Sequence, residues 1–446
     1  MPVVPLTGHS EPIITFDQYM RTPYVQNWNL ELQRELIPNL TLEARYIGSK
    51  GTKLYGGIPV NSVNIFENGI LEAFNITKAG GNAKLFDDML RGLNLGSGVI
   101  NGTTVTGSAS LRQSTQTRGL IANGNVGQFA NYLYTAAAPC GVTGCLLRNS
   151  GLPENFIVLS PQFGSATYNS TPGNSTYHSM QLQVTKRLSG GFTNTTAYTW
   201  SRAIGENETN GLKSYRNPRN RAFDKALLTY HRTHDFQSNG TFELPFGPNR
   251  LFLNDAPGWV SRLVERWQLG AIFSMTSGAP LNINAPTSSF TDLTNGTPNI
   301  VGDFPKSMGK VTKVASGVVY FDGLGQIPDP GRGNVTTLQS TQASFSNRAI
   351  TDSQGRVLLV NPEPGTLGNL GLRWIEGPAT IGLNMNLIKH VRIDETKDFE
   401  IRVDAINALN RPNFAAPNLN INSTSFGRIT SATGSRTFTI NARVNF

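Results

Sequence analysis

Few residues in this sequence have the types and the spacing that metal binding or catalysis requires. The run His231-Arg232-Thr233-His234-Asp235 places two imidazoles and a carboxylate within five positions. These groups bind zinc, but positions 231 and 234 of a strand face opposite sides, so a joint site would need an irregular backbone. Because no third ligand is indicated either, we expect this run to lie where a strand begins.

The two cysteines, Cys140 and Cys145, enclose a short glycine-containing segment. Two thiolates alone do not complete a structural zinc site, and their spacing differs from the C-x-x-C of redox proteins. We favour a small loop closed by a disulfide in an oxidising compartment, and two free thiols are the alternative.

The remaining acidic pairs do not suggest a reaction. Asp87-Asp88 lacks the glycine and the spaced oxygen ligands of a calcium loop, and Asp394-Glu395 falls in a short turn where solvated acids are expected. The sequence contains no nucleophile elbow, zinc-protease motif or phosphate-binding loop. We therefore predict no catalytic, cofactor or metal site, and we expect that the protein is not an enzyme.

The basic residues form one dense cluster, from Lys213 to Lys225, which includes Arg216, Arg219 and Arg221. It lacks interleaved stacking aromatic residues at the spacing of a strand, so we expect no nucleic-acid partner. We interpret the cluster as a solvated loop, suited to anionic lipid head groups or to an acidic ligand.

The elements that position these residues are indicated by the composition. Charged residues are 15% of the chain, whereas a soluble domain has about 25%. No window approaches 18 consecutive apolar residues, which excludes a transmembrane helix. A wall that faces lipid on one side and a polar lumen on the other needs little charge.

Nine segments alternate apolar and polar residues with a period of two, which is typical of strands with one apolar face. They are longer than the roughly 5–6 residues usual for soluble strands and match the roughly 9–11 residues of a tilted membrane strand with its aqueous rims. The predicted strands are about 25–36, 39–49, 177–188, 191–203, 233–246, 265–277, 379–390, 397–409 and 435–446.

The connections alternate between short and long, which is the pattern of a transmembrane antiparallel β-barrel with tight periplasmic turns and large extracellular loops. The predicted long loops are about 51–176, 204–232, 278–378 and 410–435. Weak strand signals at 281–284, 311–320 and 356–360 suggest extracellular hairpins. Aromatic residues in the first loop, such as Phe74, Phe86, Phe129, Tyr132 and Tyr134, suit sugar or peptide binding, although an ordinary structured loop is the favoured interpretation.

The strand count indicates an incomplete all-β barrel. Bacterial barrels have an even number of strands, and nine is odd. Residues 1–20 also lack an export signal. We therefore expect a truncated or internally started gene product that holds the C-terminal part of a barrel.

Several short motifs follow one another along the chain: Tyr177–Val184 with Lys186-Arg187, Tyr198–Arg202, Phe242–Gly247, Trp267–Gly270, Ser277–Leu281, Ala405–Phe414 and Phe426–Thr430. In this order they resemble the TonB-dependent receptors, specifically their Oar-like group. The resemblance covers most of 22–50 and 160–446.

The resemblance implies a 22-stranded barrel in the outer membrane of a Gram-negative-type bacterium, with an N-terminal plug and energy from the TonB–ExbB–ExbD complex. It implies uptake of an extracellular ligand, whose identity the sequence does not give. Signal peptide, plug and TonB box are absent from this sequence, so contact with TonB would need missing N-terminal regions.

Two further hypotheses remain open beside uptake. One is a structural or adhesive barrel that displays its loops at the cell surface. The other is a secreted, soluble β-rich protein, which would dissolve without detergent and show no heat-modifiable gel mobility. Uptake and surface display both place the chain in contact with outer-membrane lipid.

The last strand carries a prediction about assembly. The resemblance implies that the barrel-assembly machinery reads the terminal aromatic strand, here Phe438, Ile440, Val444 and Phe446. Replacing Phe446 with aspartate should therefore reduce the outer-membrane fraction of the protein, measured by membrane fractionation and heat-modifiable mobility. Unchanged insertion would count against this role.

Overall fold

Nine long strands form one antiparallel sheet in the computed structural model, and each strand pairs with its neighbours in sequence. The structure describes residues 11–95, 99–100, 103–136, 141–206, 215–217, 219–294, 296–393 and 397–446. The strands are β1 (Tyr24–Ile37), β2 (Leu40–Pro59), β3 (Ser165–Ser189), β4 (Phe192–Gly205), β5 (His234–Glu243), β6 (Trp267–Thr276), β7 (Thr380–Arg392), β8 (Asp398–Ile406) and β9 (Thr437–Asn445).

Cross-strand pairing extends the alternation of each strand to the whole sheet. Residues that pair directly share a face, so a row of successive partners shows what each face presents. One such row is apolar: Leu32, Ala44, Leu182, Tyr198, Phe236, Met275 and Ile381. The row beside it is polar: Glu31, Arg45, Gln181, Thr199, Asp235 and Thr276.

The far strands follow the same rule. Phe242, Leu269, Leu387, Val403 and Ile440 are successive partners on the apolar face. On the polar face, the Arg402 Nε donates to Asp404 at 2.8 Å. Among the described residues β1 pairs only with β2, and β9 only with β8, so each has one open backbone edge.

Tight turns join the strands at one end of the sheet. β3 and β4 meet at Gly190 and Gly191, whose φ angles of 62° and 77° are those of a type I′ hairpin. β1 and β2 meet at Pro38 and Asn39, with Asn39 at φ 67°. The β5–β6 connection is longer and contains a short helix, Gly258–Val264. β5 ends at Glu243, before the position predicted, because Pro245 has no amide hydrogen to donate.

The first long connection is shorter than the predicted loop at 51–176. β2 continues to Pro59 and β3 begins at Ser165, so the connection runs over 60–164. The additional residues of β2 and β3 could not be predicted from the sequence, because the register between the two strands shifts twice, at Thr52/Leu54 and at Leu54/Gly56. Each bulge interrupts the two-residue period that strand prediction relies on.

This connection folds around its own hydrophobic core instead of forming an irregular loop. Its helices are α1 (Ile70–Lys78), α2 (Lys84–Met89), α3 (Gly107–Gln113), α4 (Arg118–Ala122), α5 (Val126–Thr135) and α6 (Cys145–Asn149). Phe74, Phe86 and Phe129 are fully buried, with Phe129 centred 5.1 Å from Phe74 and 5.3 Å from Phe86. These aromatic residues therefore pack inside the protein and are not available to stack on a ligand.

A second core joins the third and fourth long connections, 277–379 and 407–436. Its buried residues include Ile283, Phe304, Tyr320, Ile350 and Leu359. The segments predicted as hairpins contribute short strands here. Among the described residues, the short strands are Pro12–Phe16, Val99–Ile100, Thr103–Thr104, Ala226–Leu227, Pro280–Leu281, Asn299–Ile300, Thr312–Val314, Gly317–Val319, Gly325–Pro328, Arg348–Thr351, Val357–Val360, Ile375–Glu376, Asn413–Phe414, Arg428–Ile429 and Ala432–Thr433. The 3₁₀ turns found there are Arg221–Asp224, Pro330–Asn334, Leu338–Ser340 and Gln342–Ser344.

The two cores touch each other. The Gly127 amide donates to the Ser288 carbonyl at 2.7 Å, and a Cβ at Gly127 would lie 2.3 Å from the Thr291 backbone. The Ser288 amide donates in turn to Asn125 Oδ1 at 3.0 Å. The long connections therefore form one folded assembly at this end of the sheet. No helix among the described residues is long and apolar enough to cross a membrane.

The two faces of the sheet give a direct test of the membrane wall expected from the sequence. Leu383 lies on the apolar face opposite Phe273, and Ser274 lies at the same height on the polar face opposite Gly382. Leu383→Arg should cost about 2–4 kcal/mol near mid-membrane, whereas Ser274→Arg should be mild. Unfolding in lipid vesicles measures both, and equal losses would contradict the face assignment.

Candidate functional site

His231 is buried where β4 ends and β5 begins, and it links two of the long connections. We call this end of the sheet the rim. The Ala203 amide donates to His231 Nδ1 at 3.3 Å, so Nδ1 is the unprotonated nitrogen and Nε2 carries the hydrogen. His231 Nε2 then donates to Thr233 Oγ1 at 3.1 Å. Thr233 Oγ1 donates to the Glu376 carboxylate, which belongs to the third connection.

The electrostatics around this chain favour the neutral imidazole. Burial lowers the pKa of His231, and Arg202 and Arg232 lower it further, while Glu376 acts in the opposite direction. The backbone of Glu376 is positioned by a second hydrogen bond, because the Tyr320 hydroxyl donates to its carbonyl at 2.6 Å. Burial raises the pKa of Tyr320 to about 12, so this phenol stays a donor at neutral pH.

A cavity of about 700 Å³ opens beside this chain, between residues 222–233 and 368–376. Its volume lies within the roughly 300–1,000 Å³ of small-ligand pockets. Four cationic side chains line it, those of Arg202, Lys225, Lys306 and Arg373, against one carboxylate, that of Glu376. In the described part of the chain, Arg202, Lys225 and Lys306 form no ion pair, so their charges face the cavity uncompensated.

Aromatic side chains add flat surfaces to the same cavity. Trp200, Phe223 and Trp374 all contribute to its wall. The Lys306 ammonium lies 4.8 Å from the centre of the Trp374 ring, and the indole Nε1 of Trp374 donates to the Phe304 carbonyl at 3.0 Å. Cations beside aromatic faces suit a ligand that combines negative charge with a planar apolar part.

A second cavity, of about 450 Å³, adjoins the first on the polar face of the sheet. Thr199, Asp235 and Gln237 line it from the strands, and Tyr230 and Arg232 line it from the connection. Ser201 and His231 contribute to both cavities. The hydrogen-bonded chain of His231 therefore lies at the boundary between the rim cavity and the polar face.

The basic cluster predicted to be a solvated loop is exposed at Arg219 and Arg221, but Arg216 is largely buried. Arg216 Nε lies 3.3 Å from the buried Asp224 carboxylate, and Arg221 lies 3.4 Å from Glu206. Arg219 pairs with Glu67 of the first connection at 2.5 Å. These arginines hold the connection in place because each finds an acid within reach, which the sequence spacing does not reveal. Lys213 lies outside the described residues.

The other predicted site residues are separated in space. His234 belongs to the apolar face, where its Nδ1 lies 2.8 Å from the Tyr198 hydroxyl, so it does not meet His231. Among the described residues, no three acidic, histidine or cysteine side chains could hold a metal ion. Cys145 is disulfide-bonded. Cys140 and Asp394-Glu395 lie outside the described residues, so the Cys140–Cys145 pairing stays a prediction.

The family comparison agrees with this architecture. A model of the outer membrane beta barrel domain family matches residues 3–439. The chain belongs to this family. The apolar face of the sheet is therefore its lipid face. Because bacterial barrels have short periplasmic turns and long extracellular loops, we expect the rim on the extracellular side and the tight turns on the periplasmic side. The protein is located in the outer membrane, as the alternation in the sequence predicted.

Solved structures show only distant similarity. The outer membrane transporter YddB from Escherichia coli aligns at 9% identity and a TM-score of 0.39, over 98% of this chain and 34% of that one. The copper transporter OprC aligns at 7% identity and a TM-score of 0.30, over 97% of this chain and 33% of that one. FpvA of P. aeruginosa, solved with heterologous pyoverdines, aligns at 7% identity and a TM-score of 0.30, over 96% of this chain and 27% of that one. This chain thus spans about a third of the length of YddB and OprC and about a quarter of the length of FpvA. Among curated proteins, none matches the sequence.

Local sequence patterns point to one part of the site and give no sign of the rest. The unusual run around His231 marked one wall, but Lys306, Trp374 and Glu376 lie far along the chain and form no motif with it. Their only signal was a position in a long loop, and such loops often carry function.

The buried imidazole predicts a pH-dependent rim. A folded-state pKa below the ordinary 6.5 means that neutral His231 stabilises the rim fully above that pH and loses this contribution as the pH falls. Hydrogen exchange in residues 226–233 should therefore accelerate between about pH 8 and about pH 5, after correction for intrinsic rates. His231→Asn should remove most of this dependence. An unchanged pH profile in the variant would assign the effect to another group.

Proposed function

We propose that this chain is the ligand-capturing, C-terminal part of an outer-membrane transporter of the TonB-dependent receptor type. The observation that carries the proposal is the rim cavity, which is built from two extracellular connections and adjoins a second cavity on the polar face. The motif resemblance to the Oar-like group supports the same assignment. Uptake would also require a plug and a segment that contacts TonB.

The lining of the cavity indicates the class of ligand. Arg202, Lys225 and Lys306 supply unpaired positive charge, and the Glu376 carboxylate is already engaged by Thr233. Phe223, which lies outside the long strands and is 40% exposed, can receive a flat group, whereas Trp200 pairs with His234 on the lipid face and closes the cavity from that side. We infer an anionic ligand with an aromatic or otherwise planar portion. The chain's net charge of +9 would help to attract it.

The position of the second cavity suggests a direction for the ligand. A molecule released from the rim cavity would meet Arg232 and Tyr230 and then the polar rows of β4 and β5. These rows carry hydroxyl, amide and carboxylate groups, which hold an anion less strongly than the rim does. Leaving the rim for these rows therefore costs an anion binding energy, which the energised step of uptake would have to supply.

Surface display is the second candidate function. The observation that favours it is the folded assembly of the long connections, whose two hydrophobic cores would present a rigid extracellular surface. A display protein would retain its ligand at the surface whether or not the cell is energised. Cell-associated ligand that dissociates equally well with and without a proton-motive force would therefore favour display over uptake.

The ligand class is testable with pyrenetrisulfonate, an anionic planar dye, added to the detergent-solubilised chain. Lys225→Ala and Lys306→Ala should each weaken its binding about fivefold, which corresponds to about 1 kcal/mol for an exposed ionic contact. Added salt should weaken binding to the unmodified protein as well. Fluorescence anisotropy measures the dissociation constants.

Lys313→Ala is the matched control, because Lys313 is an exposed lysine of the same connection that does not line the cavity. Equal affinities for all three variants would contradict the assignment of the cavity as an anion site. Loss of binding in all three variants would show that the dye binds elsewhere by overall charge.

A further inference from the structure

The periplasmic connection between β5 and β6, residues 244–266, has an unusually apolar surface. An open, shallow cavity of about 520 Å³ lies between this connection and strands β6 and β7. The seven residues that line this cavity all have apolar or aromatic side chains: Leu244, Phe246, Leu253, Leu263, Val264, Trp267 and Leu387. This composition differs sharply from the charged cavity at the extracellular rim.

Large apolar side chains of the connection also point outward. Leu251 is 77% exposed, Trp259 is 74% exposed and Leu263 is 62% exposed. Soluble proteins rarely gather such residues on one exposed segment, and where they do the patch marks a partner or a membrane. Leu263 belongs both to this exposed set and to the cavity wall, so the surface and the cavity are continuous.

The cavity is also continuous with the lipid face of the barrel. Leu387 is the cross-strand partner of Leu269 in the apolar row that continues through Val403. Trp267 lies on the same face two residues before Leu269, toward the periplasmic end of β6, and pairs with Lys389. The cavity therefore opens where the lipid face of the barrel ends.

Several polar groups of the connection form hydrogen bonds or ion pairs with nearby residues. The indole Nε1 of Trp267 donates to the Leu263 carbonyl at 2.9 Å, and the Ser261 hydroxyl donates to the Ala256 carbonyl at 2.9 Å. Arg250 pairs with Glu243 at 2.8 Å, and Arg266 pairs with Asp398 at 3.1 Å. Asp255 and Arg262 are exposed and form no ion pair in the part of the chain that the structure describes, so these two charges would have to lie at the level of the head groups where Leu263 reaches the bilayer.

We propose that residues 246–264 form a shelf in the periplasmic leaflet of the outer membrane, and that the cavity beneath it holds the acyl chain of a lipid. Continuity with the lipid face selects a lipid as the occupant, because any other partner would have to displace membrane from Trp267 and Leu387. Trp259 then lies at the membrane interface, where tryptophan is enriched, and Leu251 and Leu263 enter the hydrocarbon. This inference does not depend on the proposed function.

The test uses the full chain in phosphatidylcholine vesicles that contain a phospholipid with a photoactivatable diazirine on its acyl chain. After illumination, mass mapping should find lipid adducts on peptides that cover residues 246–264. Leu263→Glu should lose most of these adducts, while adducts on the strands remain. Heat-modifiable gel mobility reports whether each variant keeps its fold.

Leu159→Glu provides the matched control. Leu159 is 65% exposed, almost as much as Leu263, but it lies in the first extracellular connection. Its variant should keep the adducts on residues 246–264. Labelling of this segment by a water-soluble diazirine in place of the lipid probe would overturn the proposal and indicate a periplasmic partner. Equal lipid labelling in Leu263→Glu and Leu159→Glu would overturn it as well.

Discussion

The structure depends on the cross-strand register of the sheet. Because side chains alternate with a period of two, a slip by one residue in any strand would exchange its two faces. The register places Leu182 beside Tyr198 and Gln181 beside Thr199, and it repeats this separation from β1 to β9. A membrane wall requires such consistency, because every strand must present its apolar set to the same lipid. The turns at Asn39 and Gly190-Gly191 support the register locally, and the pairing of long strands maintains it.

A wall with lipid on one side and a polar lumen on the other has no interior of its own, which explains where the hydrophobic cores lie. They are formed by the extracellular connections, around Phe129 in the first and around Ile350 in the third. The backbone contact between Gly127 and Ser288 locks these two cores together. The third connection, which lines the cavity beside His231 with residues 368–376, therefore belongs to the same folded assembly as the first.

The two ends of the barrel meet different surroundings and differ accordingly. At the extracellular rim, Arg202, Lys225 and Lys306 face water and suit a charged ligand. At the periplasmic end, the β5–β6 connection presents Leu251, Trp259 and Leu263 and suits a lipid. The same apolar face links both regions, since Tyr198 near the rim and Trp267 near the turns belong to it. Aromatic residues at both ends fit the two interfaces of a membrane.

The sequence by itself determined the wall: alternation in segments such as 379–390 fixes both the strand and its faces, because burial on one side imposes a period of two. It did not determine the ends of β2 and β3, because bulges near Leu54 break that period. Nor did it reveal that Phe74, Phe86 and Phe129 form a helical core, since short helices show little periodicity. Only the tertiary structure brought Glu376 and Trp374 to His231 and paired the arginines of the basic cluster with acids. Contacts between residues so far apart in the chain arise from packing, and no local pattern encodes them.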